Sequence, residues 1–265
     1  MVTLFAVLAI ILYSVSAYLQ YSAIHHPNPN TRKQVLSLGS LAVIVHGFSW
    51  FIPVFTEPYH FGFFQMASLI AFVISTLIVV SALRKPLEAL FLGVFPMSAI
   101  IMLGNLLSGH EPAALEDSYD NGLLSHILLS IMAYSVLSIA SVQALLLIVQ
   151  DRQLKHKHMS GIIRVLPPLQ TMDRLLFEMI GIGTFLLSLA IVSGFVFLDD
   201  LFAQHLAHKT VFTLLAWLVY TALLLGHWRF GWRGNVASKW TLVGTVLLVL
   251  AYFGSKLVLE IILKG

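Results

Sequence analysis

The side chains in this sequence best suited to chemistry are its histidines. There are eleven of them and no cysteine. Thiolate metal sites, iron–sulfur clusters, disulfides and a catalytic cysteine are therefore excluded, and imidazole is the one soft ligand besides methionine. Three histidines, His46, His126 and His227, stand inside long apolar runs, where a polar or ionisable side chain is costly unless it has a partner or a ligand. His46 lies about seven residues, or ~10 Å, below one end of its run, and His126 lies ~5 Å below the corresponding end of another. Two neutral imidazoles at similar depth on different helices are what the two axial positions of a haem iron require. Taken singly, each could instead be a hydrogen-bonded residue between helices. His227 lies toward the opposite side, too far to join that pair, and as a haem ligand it would mark a second position or a way in.

The neighbours of these histidines are flat or polar. His126, Ser130, Tyr134, Ser138 and Ser141 recur at steps of four or three and form one helical stripe, which in lipid turns toward other helices or a polar-edged ligand. Trp217, Tyr220, Leu224 and His227 share another face, and His46, Trp50 and Pro53 a third. Aromatics beside histidine suit a flat cofactor, although Trp and Tyr also populate ordinary membrane interfaces. Among the loop histidines, His60 and His208 closely precede apolar runs, beside Phe61-Gly-Phe-Phe64 and Lys209. The candidate cofactor-binding set is thus His46, His126, His227, His60, His208, Tyr134 and Trp217, with His46 and His126 on the iron. The remaining loop histidines read as solvated surface. Glu88, Glu178 and Glu260 lie near span ends, where side chains snorkel to the interface, and Lys256 is deeper. No central acidic relay suggests a cation pump. Gly181-Ile-Gly183 follows no strand and reads as helix packing, not as a nucleotide fingerprint. No Ser-His-Asp set, carboxylate pair or phosphate loop is evident, so an enzyme is not expected.

Membrane helices must position these residues. The chain is 58% hydrophobic and 10% charged, with a mean hydropathy of +0.91, whereas a soluble fold is about 45–50% apolar and about 25% charged. A bilayer core needs about 20 apolar helical residues per crossing. Eight such runs are predicted, at Val2–Ile24, Val35–Pro53, Phe63–Leu83, Leu87–Leu107, Leu123–Val149, Leu175–Leu198, Thr210–Trp228 and Trp240–Leu263. The expected fold is an all-α integral membrane protein, a bundle of about eight transmembrane helices in a single polytopic domain over residues 1–265. The first run has no basic start and no small-residue cleavage site, so it is expected to remain as a helix. Pro167-Pro168 reads as a rigid turn ahead of the sixth helix, with Thr171 as its expected cap. Twelve of the fifteen Lys and Arg fall in the odd-numbered loops, from Arg32 and Lys33 to Arg229, Arg233 and Lys239. The even-numbered loops are acidic, with Lys209 their one basic residue. By the positive-inside rule both termini face the outer, periplasmic side. The basic residues serve topology, so the lipid bilayer is the expected surroundings and nucleic acid is not an expected partner.

Several motifs carry a family resemblance. Ser125-His-Ile-Leu-Leu-Ser-Ile-Met-Ala-Tyr134 resembles the histidine-led helix of the cytochrome c assembly membrane proteins of the CcsA, CcmC and HemX kind. Ala216-Trp-Leu-Val-Tyr220, Gly226-His-Trp228, Gly231-Trp-Arg-Gly234 and Ala251-Tyr-Phe-Gly254 follow that family's order through its last two helices. His60-Phe-Gly is similar to its early region, and Pro167-Pro168 to its HemX-like branch. The resemblance covers nearly the whole chain and is strongest to YpjD-like inner-membrane proteins. It implies a haem b-binding protein of the cell inner membrane, with other cytochrome c assembly or haem-handling proteins as partners. It also implies that His126 matches the family's outer-face histidine and His227 its intramembrane histidine, with His46 a looser match. Two features depart from the pattern. No tryptophan occurs between Asp199 and Lys209, where a haem-presenting loop belongs, and no histidine follows Tyr252-Phe-Gly254. A haem-binding protein without a complete haem-to-cytochrome attachment site is therefore expected. The other readings are a transporter for a metal ion or small solute, and a structural partner of another membrane complex.

Overall fold

The computed structural model describes residues 2–25, 30–56, 63–84, 87–108, 121–156, 166–197 and 207–254. Eight helices run through them: α1 Val2–His25, α2 Thr31–Thr56, α3 Phe63–Arg84, α4 Phe91–Leu107, α5 Asn121–Lys155, α6 Leu169–Phe197, α7 Ala207–Phe230 and α8 Asn235–Val249. A 3-10 turn, Glu88–Leu90, leads into α4, and a π-helical turn, Leu250–Gly254, continues α8. Each of the eight predicted spans has its helix, and all eight are long and apolar enough to cross a membrane; the end of the eighth, beyond Gly254, lies outside the described residues. Most extend beyond the apolar run because helical hydrogen bonding continues into the polar residues at its ends. In α6 the helix begins at Leu169, and Thr171 and Met172 both donate backbone N–H groups to the Pro168 carbonyl. Pro168 therefore starts the helix, as its fixed φ suits, and Thr171 lies inside the first turn instead of capping it.

The helices group into two compact units, one comprising Met1–Glu116 with His158–Pro167 and the other Asp117–Lys157 with Pro168–Gly265. Within each, successive helices pack together and the fourth returns to the first. The first closes as α1, α2, α3, α4 and the second as α5, α6, α7, α8.

In the first unit the core is aromatic. Phe91 and Phe95 of α4 stack at 4.3 Å, and the Tyr13 ring of α1 lies 5.0 Å from Phe95. One end of the unit is tied by Arg32, which pairs with Glu88 and donates to the Ala82 carbonyl. Glu88 thus has an arginine partner where the sequence suggested snorkelling alone.

In the second unit neighbouring helices run antiparallel. Gln143 of α5 donates to the Met172 carbonyl of α6 at 3.1 Å, while farther up α5 the Leu137 side chain packs on Gly183, where a Cβ would come within 2.6 Å of it. Gly183 is thus the close-packing glycine the sequence suggested, whereas Gly181 faces open space. Trp217 of α7 donates to Ser188 of α6 at 2.8 Å, and Tyr220 reaches Thr245 of α8 at 2.9 Å. Large apolar side chains such as Leu128, Phe185, Val192, Leu218 and Val246 remain exposed, as helices meeting lipid require.

Candidate functional site

His126 occupies the sixth position of α5. Its Nδ1 lies 2.8 Å from the Ala190 carbonyl and 3.1 Å from Ser193 Oγ, both on α6. The Ser193 hydroxyl itself donates to the Ala190 carbonyl at 2.8 Å. A carbonyl can only accept, so the ring proton sits on Nδ1 and the Nε2 lone pair is left unprotonated. Nε2 makes no hydrogen bond among the described residues, and the ring is half-buried. An imidazole anchored through one N–H to a backbone carbonyl, with its other nitrogen presented, is the arrangement that orients metal-ligating histidines. A histidine held in this way fits haem iron, which Nε2 of His126 would hold.

His227 repeats the device at the far end of α7. Its Nδ1 donates to the Trp232 carbonyl at 2.7 Å, and its ring stacks on Phe177 of α6 at 3.6 Å with 19° between planes. The turn after α7 makes this possible. Gly231 has φ 66° and Gly234 φ 61°, a left-handed backbone that glycine adopts without strain. Trp232 folds back onto Gly226, where a Cβ would lie 2.2 Å from the indole. The same end is tied by Asp173, which accepts from the Gly234 N–H at 2.8 Å, and by Asp151, which accepts from Asn235 and Lys155. His227 is exposed.

His46 differs from both. It is fully buried in the first unit, with Nδ1 3.1 Å from the Tyr13 hydroxyl and Nε2 3.1 Å from the Ser68 hydroxyl. Phe72 packs edge-on against its ring at 5.5 Å. Ser75 of α3 meets Ser98 of α4 at 3.0 Å. Side chains of α1, α2 and α3 thus meet at one imidazole.

Tyr134 lies two turns below His126, with its ring 6.0 Å from both Tyr252 and Phe253 in the π-helical turn. Ser130, Ser138 and Ser141 share its half-buried exposure. His208, the second residue of α7, is exposed. The Trp217 indole is committed to Ser188. His60, Lys256 and Glu260 lie outside the described residues. Sequence reasoning missed Phe177 beneath His227, and Tyr13 and Ser68 around His46. Among the described residues, no three His, Asp or Glu side chains converge as an ion site.

Comparison with known proteins adds the family. The family model described as cytochrome C assembly protein matches residues 35–263. The chain is 31% identical over 262 residues to inner membrane protein YpjD of Escherichia coli (strain K12), covering 97% of this chain and 98% of that one. It is 25% identical over 134 residues to protein HemX of Brevibacillus brevis, about half of each chain, at 50% and 49%. It is 26% identical over 151 residues to cytochrome c biogenesis protein CcsA of Guillardia theta, at 51% and 50%. No solved structure matches.

Proposed function

The chain belongs to the cytochrome c assembly protein family and is a multi-pass inner membrane protein, and from that premise we propose that it is a non-enzymatic haem-binding protein that holds haem b through His126. The observation that carries this reading is the anchored Nδ1 of His126, which leaves Nε2 with its lone pair outward. The names of the relatives HemX and CcsA point the same way. Bound haem supplies the iron chemistry; the protein's part is to hold and orient it. Tyr134, Tyr252 and Phe253 offer aromatic edges below His126, and His208 is the candidate partner ligand at the same end. His227 is a second ligand position, toward the cytoplasmic side.

His46 takes a structural role in this proposal. Both of its nitrogens are engaged, so ligation would require breaking a buried hydrogen bond and leaving a hydroxyl without its partner. Other haem-handling membrane proteins are the proposed partners. The basic odd-numbered loops support an orientation with both termini on the periplasmic side, so a reporter active only in the cytoplasm should stay silent when fused after Gly265, and an active one refutes the orientation.

The deciding experiment is purification in detergent from haem-sufficient cells. A six-coordinate b-type spectrum is expected, changed or lost in His126→Ala. A colourless wild-type protein would end the haem reading and favour transport or a structural role.

A further inference from the structure

We propose that the first unit carries protons, with His46 as the relay that passes them between the hydroxyls of Ser68 and Tyr13; the inference stands on that unit alone and does not depend on the haem reading. Its first support is what His46 touches. Each ring nitrogen meets a hydroxyl at 3.1 Å, Nδ1 that of Tyr13 on α1 and Nε2 that of Ser68 on α3. A hydroxyl both donates and accepts, and a neutral imidazole has one nitrogen of each kind, so the ring can take a proton on one side and release another on the other. When Ser68 gives its hydrogen to Nε2, Nδ1 gives its own to the Tyr13 oxygen, the Tyr13 hydrogen passes on, and Ser68 is refilled from the group before it. The ring stays neutral and changes tautomer, and turning of the ring restores the first.

The second support is that polar groups continue from the ring in both directions. On α3, Gln65 stands one turn before Ser68 on the same face. It is half-buried, and its Oε1 is enclosed without a hydrogen-bond partner among the described residues, so it leads from Ser68 toward the end at which α3 begins. In the other direction α1 carries Tyr13, Ser16 and Gln20 at steps of three and four, again on one face, and all three are buried. Ser16 donates to the Val35 carbonyl near the start of α2 at 3.1 Å. Beside them the paired hydroxyls of Ser75 and Ser98 are buried as well. The lane thus runs from the start of α3 toward the end tied by Arg32 and Glu88, and buried water is the natural link between groups that do not touch. A hydrogen bond between membrane helices needs no ionisable group, whereas an ionisable side chain among them marks a proton or ion path. Hydroxyls, amides and one imidazole suit a proton, which hops along hydrogen bonds, and among the described residues no three His, Asp or Glu side chains converge to hold a metal ion.

Proton flux into vesicles tests this. The full-length protein is reconstituted into phospholipid vesicles that hold a pH-sensitive dye, and a potassium diffusion potential draws protons inward. Vesicles with the wild type should acidify faster than protein-free vesicles. His46→Gln keeps a side chain that can bond hydroxyls but cannot change tautomer. Its flux should fall to the protein-free level while its Tm stays near that of the wild type, a split that a purely structural histidine would not produce. Tyr13→Phe removes one hydroxyl and keeps the ring beside Phe95, and it should lose the flux too. Ser14→Ala, at an exposed serine of the same helix off the lane, should conduct like the wild type. Wild-type vesicles no faster than protein-free ones overturn the proposal, as does a His46→Gln or Tyr13→Phe variant that conducts at the wild-type rate. Should His46→Gln unfold, Tyr13→Phe decides.

Discussion

Each four-helix unit holds a histidine on one of its helices, fully buried in the first and half-buried in the second, and the two rings are held in opposite ways. In the first unit His46 is gripped at both nitrogens by the hydroxyls of Tyr13 and Ser68. In the second, His126 is gripped at one, by a backbone carbonyl. A hydroxyl can donate or accept, so the partners of His46 adapt to either tautomer and close the ring into the network. A carbonyl accepts only, so the partner of His126 forces one tautomer and turns the lone pair outward. On the proposed reading, depth in the membrane alone does not mark a ligand. The chemistry of the first-bonded nitrogen's partner is a better sign.

The largest effect that separates the two units is on haem itself. His126→Ala should abolish the six-coordinate spectrum, while His46→Ala should leave its coordination unchanged, both read by absorption after reconstitution. The reverse result would invert the comparison. The next effect is on stability. His46→Ala opens a buried cavity and leaves the Tyr13 and Ser68 hydroxyls without their partner, a loss of about 3 kcal/mol. It should appear as a lower Tm in detergent, whereas His126→Ala, at a half-buried ring with no hydrogen bond beyond α6, should shift Tm far less. Equal shifts would mean that both histidines are structural. A smaller effect lies at the packing beneath His126. Gly183→Ala places a Cβ 2.6 Å from the Leu137 side chain, and overpacking of that kind costs about 1–3 kcal/mol. Because α5 and α6 together hold the His126–Ala190 contact, a weaker haem affinity should accompany the lower Tm. A stability loss with unchanged affinity would uncouple the packing from the site.

Much of this was legible in the sequence because lipid imposes one solution, and runs from Val2 to Trp240 declare it by length and apolarity alone. The candidacy of His126 was legible for the same reason. The partners were not. Tyr13 and Ser68 are ordinary residues of apolar helices until packing brings them to His46 across 33 and 22 positions. Pairing Arg32 with Glu88 likewise depends on how α2 meets the turn before α4. Nothing in hydropathy marks the order in which helices close into units. Lys209 was visible as an exception to the charge pattern of the loops, and it took the fold to bring its ammonium within 5.9 Å of the centre of the Tyr252 ring.

The smallest effect is also the finest test of the tautomer argument. Ser193 lies 3.1 Å from His126 Nδ1, yet its hydroxyl already donates to the Ala190 carbonyl. Removing that hydroxyl in Ser193→Ala leaves the carbonyl to hold the ring proton alone, so Nδ1 keeps its hydrogen and Nε2 its lone pair. Haem affinity should fall no more than a few-fold, in line with about 0.5–1.5 kcal/mol for one neutral hydrogen bond, and the coordination read from the spectrum should not change. A full loss of the six-coordinate species in Ser193→Ala would mean that the serine, not the carbonyl, sets the ring's proton. His126 would then belong with His46, as a histidine held by hydroxyls, and the contrast between the two units would dissolve.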